Sequence, residues 1–289
     1  MTSKDTLFST KLTINCKGRL VDFSTPRIMG ILNITPDSFY DGGSYTCEKD
    51  IVGKTASMLS EGADLIDVGA CSSRPGAAEV PVEVEKERLT MALKAIRQSF
   101  PEALLSVDTF RAEIAEFTAG EFGISVINDI SAGILDKRML SAAGKLKIPY
   151  IMMHMQGTPQ SMQKKPEYRD VTKELVAFFA GRIALAKAAG IDDIILDPGF
   201  GFGKTAEHNF VLLRELDLFS MLGHPIMVGV SRKSMIYKTL QTIPEEALNG
   251  TTVLHTLALN NGARLLRVHD VKEACEAVRL FTIYRNAAV

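Results

Sequence analysis

The chain alternates eight times between short apolar segments and longer segments with helical character. The apolar segments have the length and composition of buried strands, and they lie at 27–32, 64–68, 103–107, 124–128, 148–152, 193–197, 225–229 and 264–268. The segments that follow them predict helices at 49–61, 82–99, 111–119, 137–146, 171–189, 207–213, 245–261 and 271–286. Strands that alternate with helices form a mainly parallel sheet with the helices outside it.

Eight such units favour a closed (β/α)₈ TIM barrel over an open sheet. The open doubly wound sheet is the structural alternative, but no Gly-x-Gly-x-x-Gly motif follows the first strand. Before the barrel, an alternating pattern with a turn at Gly18 predicts a short β-hairpin over 11–23. We therefore expect one domain over 1–289, with the hairpin at 11–23 and the barrel at 26–287.

Composition excludes several classes of function. The net charge of −1 is spread over both signs, so the chain lacks the electrostatic footprint of a nucleic-acid-binding protein. Four cysteines without metal-ligand spacing predict free thiols in a reducing compartment: Cys16, Cys47, Cys71 and Cys275. No apolar segment approaches the ~20 residues that span a bilayer, and residues 1–13 carry no signal-peptide core. We expect a cytoplasmic protein that binds neither nucleic acid nor membrane.

Polar side chains follow the predicted strands at their carboxyl ends, where barrel enzymes carry their active sites. Asp67, Asp108, Asn128 and Asp197 stand at the ends of four different strands. Helix capping explains any one of them, but not three carboxylates and an amide that converge at the carboxyl end of the barrel, which we call the mouth. Such carboxylates raise one another's pKa and need a ligand or a cation to offset their charge. The set suits a flat, nitrogen-rich heterocycle with N–H donors.

The same mouth has a cationic side. Six basic residues are placed to reach it: Arg74, Lys204, Arg232, Lys233, Arg267 and His269. Arginine forks and a histidine beside a glycine-rich loop favour phosphate or diphosphate as the ligand. At Thr109 and Asp270, by contrast, a helix cap is as good an explanation as a function.

Eight motifs in a fixed order carry a resemblance to a known family, and each stands at a predicted strand end. They are GILNITPDSFYDGG at 30–43, GADLIDVGACSSRPG at 62–76, SVDT at 106–109, INDI at 127–130, MHMQGTP at 153–159, ILDPGFGFGK at 195–204, VGVSRKSMI at 228–236 and RVHD at 267–270. Over residues 11–287 the chain resembles the dihydropteroate synthases, enzymes of folate biosynthesis in the pterin-binding barrel superfamily.

The resemblance implies a transferase that condenses 7,8-dihydropterin-6-ylmethyl diphosphate with 4-aminobenzoate to give 7,8-dihydropteroate and diphosphate. The implied pterin-binding residues are Asp108, Asn128, Asp197 and Lys233. The implied diphosphate-binding residues are Asn33, Arg267 and His269, with Mg²⁺ at Asn33. The implied aminobenzoate-binding residues are Thr35, Pro36, Phe39, Ser72, Ser73, Arg74, Pro75, Phe202 and Ser231. Asp108, Lys233 and Arg267 are the expected catalytic residues. The resemblance also implies a homodimer formed through the C-terminal helices, and competition between sulfonamides and 4-aminobenzoate.

The sequence departs from the family pattern at two places and leaves three rival functions open. Cys71 and Ser73 replace a glutamate and a threonine that are common in the family, and Tyr237 replaces a small residue. A methyltetrahydrofolate:corrinoid methyltransferase shares the barrel but has no diphosphate to bind. A pterin-binding protein without catalytic activity would not need both the pterin side and the cationic side of the mouth. A sugar-phosphate isomerase leaves Asn128 and Asp197 unexplained.

Overall fold

The computed structural model describes residues 11–34, 44–71, 80–162 and 166–287, with the backbone alone for 44–47. Within these ranges the strands are β1 (Thr13–Cys16), β2 (Arg19–Asp22), β3 (Arg27–Asn33), β4 (Leu65–Gly69), β5 (Leu105–Asp108), β6 (Val126–Asp129), β7 (Tyr150–Met153), β8 (Ile194–Asp197), β9 (Met227–Val228) and β10 (Leu265–Val268). The helices are α1 (Ser44–Glu61), α2 (Val82–Ser99), α3 (Ala112–Phe122), α4 (Met139–Leu146), α5 (Val171–Ala188), α6 (Ala206–Arg214), α7 (Ser234–Tyr237), α8 (Leu248–Asn260) and α9 (Val271–Asn286). In this part of the chain no helix is both long and apolar enough to cross a bilayer.

Strands β3 to β10 form one parallel, eight-stranded sheet in the order β8-β7-β6-β5-β4-β3-β10-β9. The two ends of this sheet meet, because Leu196 of β8 forms a parallel bridge with Ile226, next to β9. The Leu196 amide donates to the Pro225 carbonyl at 2.9 Å across this junction. With helices between successive strands, the predicted (β/α)₈ barrel is confirmed.

The N-terminal hairpin closes one end of the barrel. Strand β1 pairs with β2 in antiparallel register, as the sequence predicts. The buried hairpin residues share one apolar cluster with residues from the amino-terminal part of the barrel: Ile14, Cys16, Val21, Phe23, Met29, Leu65, Leu104, Val126, Ile151, Ile195, Met227 and Leu265. The carboxyl-terminal end is therefore the end at which a ligand can enter.

The inner face of the barrel changes from apolar to polar along the strands. Since side chains two positions apart share a face of a strand, four apolar residues of the inner cluster are each followed by a polar one on the same face. The pairs that show this are Leu65 and Asp67, Val126 and Asn128, Ile195 and Asp197, and Leu265 and Arg267. Because side chains of a strand alternate between its two faces, these polar residues lie inside the barrel at its open, carboxyl-terminal end.

Four segments differ from the prediction. The helix predicted at 245–261 is divided, because Pro244 begins a separate 3₁₀ turn (Pro244–Glu246) before α8. The strand predicted at 225–229 contracts to Met227–Val228, since only these two residues pair in register with β10. The short helix α7 and a 3₁₀ turn at Leu216–Leu222 were not predicted, because each is too short to show a helical period. The other predicted boundaries agree within five residues.

Candidate active site

One row of paired residues crosses four strands at the open end of the barrel. Asn33 pairs with Gly69, Gly69 with Asp108, and Asp108 with Asn128. Gly69 has no side chain, and the point where its Cβ would stand lies 3.5 Å from Asn33 Oδ1 and 3.6 Å from Asp108 Oδ2. The row therefore places the side-chain oxygens of Asn33 and Asp108 on either side of Gly69, which has no side chain to separate them.

The guanidinium of Arg267 bridges two buried carboxylates. Its Nε donates to Asp67 Oδ2 at 2.7 Å, and its Nη2 donates to Asp108 Oδ2 at 2.8 Å. Asn128 Nδ2 donates to the same Asp67 oxygen at 3.0 Å. The pattern of converging carboxylates predicted that a cation must offset their charge, and Arg267 is that cation. The sequence grouped Asp67 with the residues that suit a heterocycle, but in the structure it orients both Arg267 and Asn128.

Burial shifts the pKa values of this group in opposing directions. Burial raises the pKa of Asp108 to about 7, although the adjacent Arg267 charge acts to lower it. For Arg267, burial alone lowers the pKa, but Asp67 and Asp108 raise it above its usual range, so the guanidinium stays charged. The mouth thus holds a permanent cation next to a carboxyl that titrates near neutrality.

Asp197 and Lys233 form the second charged group of the mouth. Asp197 Oδ1 accepts from the Gly199 amide at 2.8 Å, and burial raises the pKa of this carboxyl while Lys233 opposes the shift. Lys233 Nζ donates to the Phe200 carbonyl and lies 4.7 Å from the centre of the Phe202 ring. Burial lowers the pKa of Lys233 to about 8.

The two charged groups are neighbours. A Cβ at Gly229 would lie 3.9 Å from Arg267 Cβ and 3.9 Å from Lys233 Nζ. Both cationic residues therefore border the same space beside Gly229.

Ser231 and His269 join the loop after β9 to the end of β10. His269 Nδ1 lies 3.1 Å from Ser231 Oγ, and the His269 amide donates to the same hydroxyl at 3.2 Å. Ser231 is buried, whereas His269 is exposed. With Nδ1 at the hydroxyl, Nε2 is the ring nitrogen that remains for a ligand.

Two residues predicted to reach the mouth have other partners. Arg232 forms a fork on Asp270, with Nε at 2.9 Å and Nη2 at 2.6 Å from its oxygens. Lys204 is buried and its Nζ donates to backbone carbonyls, among them that of Gly199 at 3.0 Å. These two expectations were wrong because both side chains are occupied within the fold. Thr109 likewise bonds Glu85, at 2.8 Å.

The predicted aminobenzoate residues divide into two sets. Those on the loops after β3 and β4 lie outside the described residues: Thr35, Pro36, Phe39, Ser72, Ser73, Arg74 and Pro75. Phe202 lies against Lys233, and Ser231 lies against His269, as described above. Among the described residues, no group of three or more His, Cys, Asp and Glu side chains could hold a metal ion.

Comparison with known proteins identifies the family. The sequence model of a family described as pterin binding enzyme matches residues 29–269. The Escherichia coli K12 dihydropteroate synthase is 45% identical over 266 residues, which cover 91% of this chain and 93% of that protein. The chain belongs to the dihydropteroate synthase family.

Solved structures of dihydropteroate synthases have the same fold. A Yersinia pestis dihydropteroate synthase in a sulfonamide drug complex is 41% identical, with a TM-score of 0.89 over 95% of this chain and 100% of that one. A Xanthomonas albilineans dihydropteroate synthase with 4-aminobenzoic acid is 39% identical, with a TM-score of 0.88 over 96% of this chain and 100% of that one. The predicted family, fold and class of enzyme, a transferase of folate biosynthesis, are thereby confirmed.

Proposed function

We propose a division of labour among the residues of the mouth for the condensation of 7,8-dihydropterin-6-ylmethyl diphosphate with 4-aminobenzoate. The observation that carries it is the Arg267 fork on Asp67 and Asp108. This fork joins an acceptor-rich wall, suited to a pterin, to a cationic wall, suited to a diphosphate. A substrate that contains both groups matches the two walls at once.

The pterin is assigned to Asn128, Asp197 and Lys233. Asn128 Nδ2 is engaged by Asp67, which leaves Oδ1 to accept from the ligand. Asp197 Oδ1 is engaged by the Gly199 amide, which leaves Oδ2 to accept from the 2-amino and N3–H groups. Lys233 then donates to an acceptor atom of the ring system. Each side chain is thus oriented by one contact within the protein and presents its other polar atom to the pterin.

The diphosphate is assigned to Arg267, His269 and Asn33. Two nitrogens of Arg267 are engaged by carboxylates, so Nη1 is the third donor of the fork. His269 contributes Nε2. Mg²⁺ fits this set, because Mg²⁺ keeps several waters and takes few protein oxygens when substrate phosphates supply the rest. Asn33 Oδ1 is the protein oxygen that would hold it, and bound Mg²⁺ would neutralise charge on the leaving diphosphate.

The chemistry requires charge stabilisation more than proton transfer. The bond between the exocyclic CH₂ and the diphosphate oxygen breaks, and its electron pair leaves with the diphosphate that Arg267 holds. The pteridine nitrogens share the positive charge that remains, and ionised Asp108 stabilises it electrostatically. The neutral arylamine of 4-aminobenzoate then forms the new C–N bond to the CH₂ carbon, and the resulting ammonium gives its proton to solvent. An arylamine needs no Ser-His-Asp or Cys-His device to act as a nucleophile.

The 4-aminobenzoate pocket is assigned to Phe202 and Ser231, together with the predicted residues of the two loops after β3 and β4. Phe202 offers a ring face beside Lys233, and the lysine offers a charge to the carboxylate end. Sulfonamides present the same arylamine and are expected to compete for this pocket. The assignment of the loop residues rests on the sequence resemblance alone.

The rate should depend on pH through Asp108 and Lys233. The Asp108 carboxyl has its pKa raised to about 7, so it is protonated and ineffective below that pH. The Lys233 ammonium has its pKa lowered to about 8, so it loses its charge above that pH. We expect kcat/KM for the pterin diphosphate to rise through the first value and fall through the second. In Lys233→Arg the side chain stays protonated, so the alkaline fall should vanish while the acid limb remains. A rate that stays flat across this range would contradict both roles.

Replacing His269 should weaken diphosphate binding selectively. A hydrogen bond to a charged group contributes about 1.5–3 kcal/mol, so His269→Ala should bind inorganic diphosphate at least tenfold more weakly. A simple pterin analogue should bind as it does to the unchanged protein. Isothermal calorimetry with each ligand is the measurement, and His269→Gln, which keeps a donor, should retain part of the affinity. Equal losses for both ligands would indicate general damage and oppose the assignment.

A second copy of the chain is the proposed partner. Helices α8 and α9 pack together and expose apolar side chains at helical spacing: Val253, Leu257, Leu280, Ile283 and Tyr284. Such a face, in the place implied by the family resemblance, supports a homodimer. Light scattering should give a dimer mass for the unchanged chain and a monomer mass for Leu280→Glu/Ile283→Glu. Leu185→Glu, at an exposed position on α5, should stay dimeric, and a monomeric unchanged chain would refute the proposal.

A cytoplasmic location is the proposal for the compartment. It is supported by the free thiols of Cys16, Cys71 and Cys275, the cysteines whose side chains are described. Burial raises the pKa of Cys16 to about 12, so that this thiol is neutral and unreactive at physiological pH.

A further inference from the structure

Lys204 lies beneath the loop that follows β8 and is only 3% exposed. Its Nζ is 3.1 Å from His154 Nδ1 and donates to the carbonyls of Gly199 at 3.0 Å, Phe202 at 3.0 Å and His154 at 3.3 Å. An ammonium has three donors and no acceptor, so these contacts use its full capacity. Burial lowers the pKa of His154 to about 3, and a neutral ring can accept from the ammonium.

The loop has a shape that depends on glycine and encloses this ammonium. Gly199, Gly201 and Gly203 have φ angles of 71°, 82° and 60°, in the left-handed region. A Cβ at Gly199 would stand 2.1 Å from the His154 carbonyl oxygen, so the loop is packed directly against the end of β7. Two carbonyls of the loop, those of Gly199 and Phe202, point inward at the Lys204 ammonium.

The other side of the same loop contacts the proposed pterin residues. The Gly199 amide donates to Asp197, the Phe200 carbonyl accepts from Lys233, and the Phe202 ring lies under the same ammonium. We propose that Lys204 is a positioning residue for the pterin site, which fixes the loop at 198–203 and through it the placement of Asp197 and Lys233. This inference rests on the pterin assignment made above.

Lys204→Met tests the role, because methionine has a similar length but no donor and no charge. We expect 6-hydroxymethylpterin to bind about tenfold more weakly, which corresponds to the loss of one buried hydrogen bond, while inorganic diphosphate binds within twofold of the unchanged protein. Lys187→Met, at an exposed position on α5, is the matched control and should leave both affinities unchanged.

The pH profile supplies a readout that a purely structural role would not move. The charged groups that act on the pKa of Lys233 are Asp197, Arg267 and Asp108, while burial lowers the pKa of Lys204 itself to about 7. Asp197 is the charge that raises the pKa of Lys233 most, so a loop that no longer fixes the spacing of Asp197 and Lys233 should change the pKa of Lys233. The alkaline limb of kcat/KM should therefore shift in Lys204→Met and stay in place in Lys187→Met.

Two further variants keep the outcomes distinct. Lys204→Gln retains two donors, so its pterin affinity should lie between those of the unchanged protein and Lys204→Met. It also serves as the test if Lys204→Met does not fold.

Unchanged pterin affinity with an unmoved alkaline limb would overturn the role of Lys204. Equal losses of pterin and diphosphate affinity with that limb unmoved would also overturn it. Asp197→Asn is measured in parallel. If Asp197→Asn binds pterin normally the pterin assignment fails, whereas loss in Asp197→Asn alone overturns only the inference about Lys204.

Discussion

Arg267→Met should abolish most of the activity and destabilise the fold. The substitution removes the cation that neutralises Asp67, which is fully buried, and Asp108. Removing one partner of a buried ion pair costs about 3–5 kcal/mol of folding free energy, because a buried charge is left unpaired. The same change removes a donor to the leaving diphosphate, so kcat/KM should fall by about a thousandfold. Urea unfolding and steady-state kinetics measure the two effects.

A double variant separates the two effects of Arg267. In Asp67→Asn/Arg267→Met both charges are gone, so part of the lost stability should return. The activity should not return, because the diphosphate still lacks its arginine. Recovery of activity along with stability would mean that Arg267 acts only as a structural counter-ion. Arg267→Lys, which keeps the charge but not the fork, should be stable and slow.

Asp197→Asn should remove most of the pterin affinity while leaving the fold intact. Asparagine Oδ1 can still accept from the Gly199 amide, as Asp197 Oδ1 does at 2.8 Å. The second carboxylate oxygen becomes an NH₂ group, which would face the N–H donors of the pterin. Two donors that face each other are both unpaired, which at ~1–3 kcal/mol for each group should weaken binding about a hundredfold.

Calorimetric titration with 6-hydroxymethylpterin measures this loss, and the same variant provides its own control. The affinity for inorganic diphosphate and the thermal midpoint should stay at the values of the unchanged protein. Pterin affinity within a few-fold of the original would refute the assignment of Asp197.

The fold was predictable because the alternation of strands and helices is visible in the sequence as alternating apolar runs and helical patterns. Strands buried on both faces read as continuous apolar runs, and the polar residues that interrupt the runs mark one end of the barrel. Asp108, Asn128, Asp197 and Arg267 come from four strands, yet the parallel sheet brings them to one mouth. The order of the motifs then predicted the family. That the chain forms a single domain stays a prediction.

The pairing of charges could not be predicted in the same way. Lys204 and Arg232 have the same residue types as the cations of the mouth, and no local pattern distinguishes a lysine that faces a ligand from one that faces carbonyls. That difference depends on the left-handed turns of the Gly199–Gly203 loop, which direct its carbonyls toward Lys204. The role of Asp67 was missed for the same reason, since its partners are 61 and 200 residues away along the chain.

The central claim is that one mouth binds the pterin diphosphate and joins its pterin to 4-aminobenzoate as diphosphate leaves. The most direct test measures 7,8-dihydropteroate and diphosphate together, in one reaction of the purified chain with both substrates and Mg²⁺. We predict that the two products form in equal amounts, and that omission of 4-aminobenzoate stops dihydropteroate formation. Failure to form dihydropteroate, or release of diphosphate in large excess over it at saturating 4-aminobenzoate, would contradict the claim.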